Sequence, residues 1–388
     1  MRELATGLRS RRCWKAAPDP CTGIIGFGSR WNGGRSSRSH RTEYGQSISC
    51  ARICTMICNR RLCQIGVRLR MKFMVGICTC DRLPLLRSLL LHLCEIRLDS
   101  LASAQVEILV VDNKPTGEVA TLCRDLARAM PVPLHFVEER RRGISYARDR
   151  AVVEALERDA DFLCFIDDDD RPELDWLVDL ARRQGSTGVD IVVGNRVYVE
   201  DAANFDKPDA GEPDPRTRNE TKIWKSNGLP NLLSTCNVLI SRNILERLAC
   251  EGPVFDPLFG LMGGEDADFF MRARGMGADI ARADRSLVRK RVWLERATVR
   301  GVMRRKFRSG CSEGHLVRRY VNGGQRLRWF AAIGGRFLRS GGALLAGLFA
   351  ASKRGKALSK LAWCCGAVFG YAGGNYRYYE QSPEIVQP

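Results

Sequence analysis

DFLCFIDDDDRP, residues 161–172, is an apolar run that breaks without transition into four carboxylates. Phe162 to Ile166 form an unbroken apolar segment of strand length, which suits a central strand covered on both faces. Asp167, Asp168, Asp169 and Asp170 then stand at its carboxyl end, where open α/β sheets bind ligands. Like charges this dense need a compensating cation, and all-oxygen ligation suits a hard divalent ion such as Mg²⁺ or Mn²⁺. The competing reading is a solvated acidic turn that caps a helix near Pro172.

On the N-terminal side of this stretch, strand and helix patterns alternate. FMVGICT (73–79), VEILVVD (106–112) and LHFVEE (134–139) read as buried strands; 84–96, 117–130 and 144–156 carry helical spacing. On the C-terminal side, a helix is expected over 174–183, a strand over 190–199, strand then helix over 234–248, and a Gly-rich turn into a helix over 257–277. Such alternation predicts a mostly parallel, doubly wound α/β sheet with helices on both faces. Residues 201–222 are rich in Pro, Asp and Asn, the composition of a mobile loop.

The chain has 388 residues and a net charge of +18, unevenly placed. Residues 1–70 carry 14 Lys/Arg against 3 Asp/Glu and residues 285–388 carry 21 against 4, which leaves the middle with a net negative charge. The basic ends suit nucleic acid, anionic lipid or a phosphorylated substrate, and their sign alone does not choose. No nucleic-acid-binding motif accompanies the charge, so no nucleic-acid partner is expected. Sixteen cysteines without regular spacing, several inside apolar runs, point to a reducing compartment rather than a disulfide framework. Cysteines 50, 54, 58 and 63 fit no zinc spacing. Residues 1–70 lack periodicity and a secretory apolar core, and read as a disordered or non-native extension before a functional start at Met71.

Five stretches in order resemble glycosyltransferase family 2, the inverting sugar-nucleotide transferases of the GT-A fold, and within it the bacterial exopolysaccharide branch. They are GICTCDR (76–82), VVDN (110–113), GISYARDRA (143–151), FIDDDDRP (165–172) and GGEDADF (263–269). The resemblance runs from about Lys72 to Arg308 and implies a GT-A catalytic domain over 71–300. It implies that Thr79, Arg82, Asp112, Arg148, Asp167 and Asp168 bind the nucleotide sugar, with Asp112 accepting from the uracil imide N–H. A helix or turn cap is the alternative for Asp112. It also implies that Asp169 binds Mg²⁺ or Mn²⁺ at the diphosphate, with a one-residue slip to Asp170 left open. The Glu265–Asp266 pair matches the catalytic acidic element, in which Asp266 is the general base and an N-terminal capping cluster is the alternative. Asp149 stands where the family usually has Asn, which leaves that position a cap or salt bridge rather than a phosphate contact.

The activity so implied is inverting, metal-dependent transfer of a hexose, such as glucose, from a UDP-sugar to a hydroxyl of a glycan or lipid-linked acceptor, in exopolysaccharide or cell-surface glycan synthesis. Two alternatives stand beside it: a non-catalytic, membrane-associated nucleotide-sugar binder, and a nucleotidyltransferase on a similar fold. The second needs a Gly-rich loop and Lys after the first strand, and GICTCDR has neither. Trp224 either stacks on a sugar or belongs to the core. Arg304, Arg305, Lys306, Arg308 and, more weakly, His315 are placed to close over a diphosphate, or to form a solvated basic helix. In the 301–388 tail, apolar stretches at 340–351 and 361–374 are each too short to span a bilayer. Flanked by Arg336, Arg339, Lys353, Arg354, Lys356 and Lys360, they read as interfacial helices on an anionic membrane surface, or as helices packed on the domain. The expected location is cytoplasmic, peripheral on the inner face of the cell membrane.

Overall fold

The computed structural model describes residues 70–377 except 102, 200–204, 206–222, 225–227, 231–232, 292–297 and 347–350. The expectations for residues 1–69 and, Phe205 apart, for the loop 201–222 lie outside the described residues. Eight strands build one sheet: β1 (Lys72–Thr79), β2 (Gln105–Asp112), β3 (Leu134–Glu138), β4 (Phe162–Asp167), β5 (Asp170–Pro172), β6 (Ile191–Val199), β7 (Asn237–Ser241) and β8 (Ile280–Arg291). Their order is β3-β2-β1-β4-β7-β6-β8-β5. Among the described residues, six α-helices accompany it: α1 (Leu83–Leu93), α2 (Glu118–Leu126), α3 (Ile144–Glu157), α4 (Trp176–Thr187), α5 (Arg242–Glu251) and α6 (Glu265–Gly275).

Alternation inside the apolar runs sorts side chains to the two faces. Phe73, Val75 and Ile77 of β1 join Phe162, Cys164 and Ile166 of β4 under α1, α2 and α4, in a core anchored by Leu86, Leu90 and Trp176. Met74, Leu163 and Phe165 point the other way, to α3, α5 and α6, against Ala147, Leu245, Phe255 and Phe269. Each of the large side chains so buried contributes about 1.5–3 kcal/mol relative to exposure. Both faces are covered, as an unbroken apolar strand requires.

The expectation of a mostly parallel sheet needs correction. β3, β2, β1 and β4 are parallel, but β7 runs antiparallel to both β4 and β6, and β5 is antiparallel to β8, so the sheet is mixed. β4 ends at Asp167 and β5 begins at Asp170, yet they lie in the middle and at the edge of the sheet. Only a curled sheet permits this, and the curl brings β8 against the acidic turn. The register of β6 on β8 shifts between Gly194 and Asn195. A Cβ on Gly194 would meet the Asn237 amide at 2.2 Å. That buried amide donates to the carbonyls of Asn195 and Ser286 and accepts from the Ser286 hydroxyl.

The tail forms three helices, α7 (Val299–Tyr320), α8 (Gly323–Ala346) and α9 (Ala351–Tyr371). α7 and α9 cross with their backbones nearly touching: a Cβ on Gly310 would meet the Trp363 carbonyl at 2.1 Å, and one on Gly366 the Phe307 carbonyl at 2.0 Å. Cys364 and Ala367 are buried there with Cys311, Val317, Trp329 and Ile333, in a third core that includes Phe259 and Met262 from the segment before α6. Of the two readings of 361–374, packing therefore describes its buried face. No helix among the described residues is long and apolar enough to cross a membrane.

Candidate active site

The carboxyl ends of β1, β2 and β4 lie side by side because the strands are parallel and in register, Thr79 beside Asp112 and Cys78 beside Asp167. A cavity of about 460 Å³ opens over them, and Asp167, Asp168 and Asp169 line it together with Glu265 and Asp266. Two acidic elements far apart in sequence thus meet in one pocket. Asp170 lies outside the lining: it is buried in β5 and pairs with Lys290 across the β5–β8 ladder.

Each acidic side chain is held by a named partner. Both oxygens of Asp168 are engaged: Oδ2 accepts from the Thr79 hydroxyl at 2.8 Å, and Oδ1 from Arg82 at 3.0 Å. Lys290 Nζ donates to Asp167 and to Asp170, each at 2.9 Å. Arg148 is the link between the two halves of the site. Its Nη1 donates to Glu265 at 2.6 Å and to Asp266 at 2.8 Å, while Nη2 lies 3.5 Å from Asp167. The fork expected for a nucleotide is therefore engaged by carboxylates, and likewise Thr79 and Arg82 act on Asp168.

The surroundings separate the carboxyls electrostatically. At Asp167 burial opposes ionisation, but Lys290 and Arg148 outweigh it and hold the group below the usual carboxylate range. Burial pushes Asp168 up to about 6 against the pull of Arg82, and pushes Asp170 well above the ordinary value despite Lys290. Glu265 is raised by burial and by its neighbour Asp266, with Arg148 opposing. The Asp266 carboxylate is oriented on all sides: Oδ1 also accepts from the Thr235 hydroxyl at 2.6 Å, and Oδ2 from the Ser234 hydroxyl at 3.1 Å. Gly264, at φ +104°, starts α6 beneath it, and a Cβ there would strike Ser312 of α7 at 2.9 Å. The Ser312 hydroxyl in turn donates to the Gly263 carbonyl at 2.6 Å. α7 also brings Arg308 to the cavity wall.

Asp112 ends β2 just outside the lining; its Oδ1 accepts from the Lys114 N–H, and its buried Oδ2 has no partner among the described residues. Burial raises its pKa. Its neighbour Asn113 does line the cavity and ties β2 to α3, donating to the Glu139 and Arg141 carbonyls and accepting from the Gly143 N–H. Asp149 accepts from the Phe255 N–H of a loop at 2.8 Å. His315 bonds the Gly374 carbonyl and packs on Phe259, outside the cleft lining. Trp224 packs against the α3–α5–α6 core with Arg274 stacked over its ring.

Asp169 makes no hydrogen bond among the described residues and has only longer approaches, 3.4 Å to Arg82 and 3.8 Å to Lys290. With Asp167 it offers hard oxygen donors facing the cavity, so these residues fit a divalent cation of the Mg²⁺ or Mn²⁺ type. A second cluster, Asp167, Asp170 and Cys236, is close enough to hold a metal, but Lys290 Nζ already lies between its two carboxylates. Sequence reasoning missed Lys290, Arg196, Ser234 and Thr235. None sits in a motif; each reaches the site from a strand or strand approach that the curl alone brings near.

Residues 74–249 match the family described as glycosyl transferase family 2. The chain is 29% identical over 263 residues to the succinoglycan biosynthesis protein ExoM of Rhizobium meliloti (strain 1021), covering 67% of this chain and 80% of that protein. In fold it is similar to the mannosyltransferase PcManGT from Pyrobaculum calidifontis in complex with GDP-Man and Mn²⁺, at TM-score 0.50 and 18% identity, over 82% of this chain and 94% of that one. It also matches S. aureus TarS 1–349, at TM-score 0.44 and 16% identity, over 79% and 93% of the two chains.

Proposed function

We propose, on the match of residues 74–249 to glycosyl transferase family 2, that the chain moves a hexose from a UDP-sugar to a hydroxyl of a glycan or lipid-linked acceptor, with inversion. The observation that carries the reading is the Arg148 bridge, which joins the acidic turn after β4 to the Glu265–Asp266 pair in one cavity. Inverting transfer needs charge control at the leaving diphosphate and a base on the opposite face of the sugar. Asp266 is the base: Arg148 and Thr235 fix Oδ1, so Oδ2, held among the described residues only by the Ser234 hydroxyl, takes the acceptor proton as the acceptor oxygen attacks the anomeric carbon. The bond from that carbon to the diphosphate oxygen breaks, and UDP leaves with its electron pair. Asp169, with Asp167 beside it, would hold a divalent cation that supplies Lewis-acid neutralisation of the diphosphate.

Arg308 at the wall adds a guanidinium suited to phosphate. Asp112 Oδ2, which has no partner among the described residues, has the acceptor chemistry that the uracil imide needs, since an ionised carboxylate only accepts and the imide only donates. Thr79 and Arg82 act on the nucleotide through Asp168, and Glu265 through Arg148. The likeness to a succinoglycan biosynthesis protein supports an acceptor in exopolysaccharide or cell-surface glycan synthesis. The test is a panel of labelled UDP- and GDP-sugars, each with Mg²⁺ or Mn²⁺ and with membrane lipid-linked acceptors. Acceptor-dependent release of UDP with a labelled glycolipid product is expected; binding without release from any donor would leave only a non-catalytic binder.

A further inference from the structure

Away from the cleft, a cavity of about 840 Å³ lies between α7, α8 and α9. Five cations line it: Lys306 from α7, Arg336 and Arg339 from α8, and Lys356 and Lys360 from α9. No carboxylate among the described residues does. From Val299 to Tyr371 the sequence has fifteen Lys/Arg and one acidic residue, Glu313, whose carboxylate accepts from Trp329 Nε1 at 3.1 Å. No ion pair joins any of the five to a carboxylate among the described residues. All five are solvent-exposed, so their heads stay hydrated and open to a ligand.

Arg336 is also pre-positioned. Its guanidinium stacks on the Trp363 ring, 4.3 Å from the centroid, which fixes the plane and leaves its N–H edge for an anion. Three separate helices supply the charges to one concavity, rather than one helix presenting a stripe. That geometry suits a compact anion of high charge better than an extended strand of nucleic acid, and small apolar residues, Ala343 and Ala357, complete the wall. We propose that this cavity binds a phosphate or diphosphate group. The site is distinct from the cleft, and the inference does not rest on the transfer reaction.

Two sources carry that chemistry, a lipid headgroup and a soluble anion, and two arms separate them. Titration calorimetry of the full chain with inorganic pyrophosphate, at fixed ionic strength and without divalent ions, reads the soluble arm. Flotation with phosphatidylcholine vesicles containing roughly a fifth phosphatidylglycerol reads the lipid arm. Saturable binding in either arm is expected, weakened at least ~10-fold in Arg336→Gln/Lys360→Gln. A second pair, Lys306→Gln/Lys356→Gln, should weaken it likewise. Arg328→Gln/Arg354→Gln removes the same charge from exposed tail residues outside the lining and should leave binding within about twofold of wild type. Pyrophosphate binding alone identifies a soluble anion; vesicle binding alone identifies a headgroup. No saturable binding in either arm, or equal weakening by the control pair, overturns the proposal.

Discussion

The cleft and the tail each gather like charges, and they treat them in opposite ways. At the cleft, Asp167, Asp168, Glu265 and Asp266, with Asp170 outside the lining, share Arg82, Arg148 and Lys290 through short contacts that are buried or part-buried. In the tail, five cations face a common space with no carboxylate among them. A buried cluster must be neutralised from within, because desolvated charge without a partner costs several kcal/mol. An exposed one can leave neutralisation to water, salt or a ligand. The cleft is therefore set before any ligand arrives, whereas the tail presents charge for an outside partner.

The contrast is broken most severely by removing a lysine from each side. Lys290→Met strips the cation from buried Asp170 and half-buried Asp167, and should cost about 3–5 kcal/mol in denaturant unfolding. If Lys290→Met unfolds like wild type, the cleft is not internally neutralised. A smaller effect, of opposite sign, is expected at Asp149, whose carboxyl burial pushes up to about 7 from an ordinary 3.8. The folded chain then holds a proton that the unfolded chain has lost, so this stability is complete below 3.8 and disappears as pH rises toward 7. Asp149→Asn keeps an acceptor for Phe255 N–H, and should raise stability at neutral pH by roughly 1–3 kcal/mol and flatten that slope. Thermal unfolding across pH reads it; an unchanged slope would mean that Asp149 is ionised in the fold. The smallest effect belongs to Lys356→Gln in the tail, which relieves repulsion and should change unfolding free energy by no more than about 0.5 kcal/mol.

The first half of the fold was legible because its strands are unbroken apolar runs and its helices keep a regular period. β4 and its aspartates stood out for the same reason: four carboxylates directly after a buried strand need cations close by, so they mark a site. β8 was not legible, since RADRSLVRKR carries charge along the curled edge and lacks alternation of hydrophobic with polar. With it went Lys290, whose role exists only because Asp170 pairs with it across the ladder. β7 read correctly as a strand, but its direction depends on the path of the chain after β6, which no local pattern encodes. In the tail, no local pattern marks the glycines at 310, 314, 366 and 370 as contacts. Their use appears only when α7 and α9 are laid together and the missing side chains become the contact. Arg148 was found by its motif, yet its partners were not, because Glu265 and Asp266 lie more than 100 residues away.

The central claim is that Asp266, held by Arg148 and Thr235 in the same cavity as the acidic turn, takes the acceptor proton. Its most direct test is Asp266→Asn, assayed for transfer from the preferred UDP-sugar and, separately, for UDP affinity by calorimetry. Turnover should fall by roughly 10²–10⁴-fold with UDP affinity within about twofold of wild type. Turnover near wild type in Asp266→Asn would contradict the account.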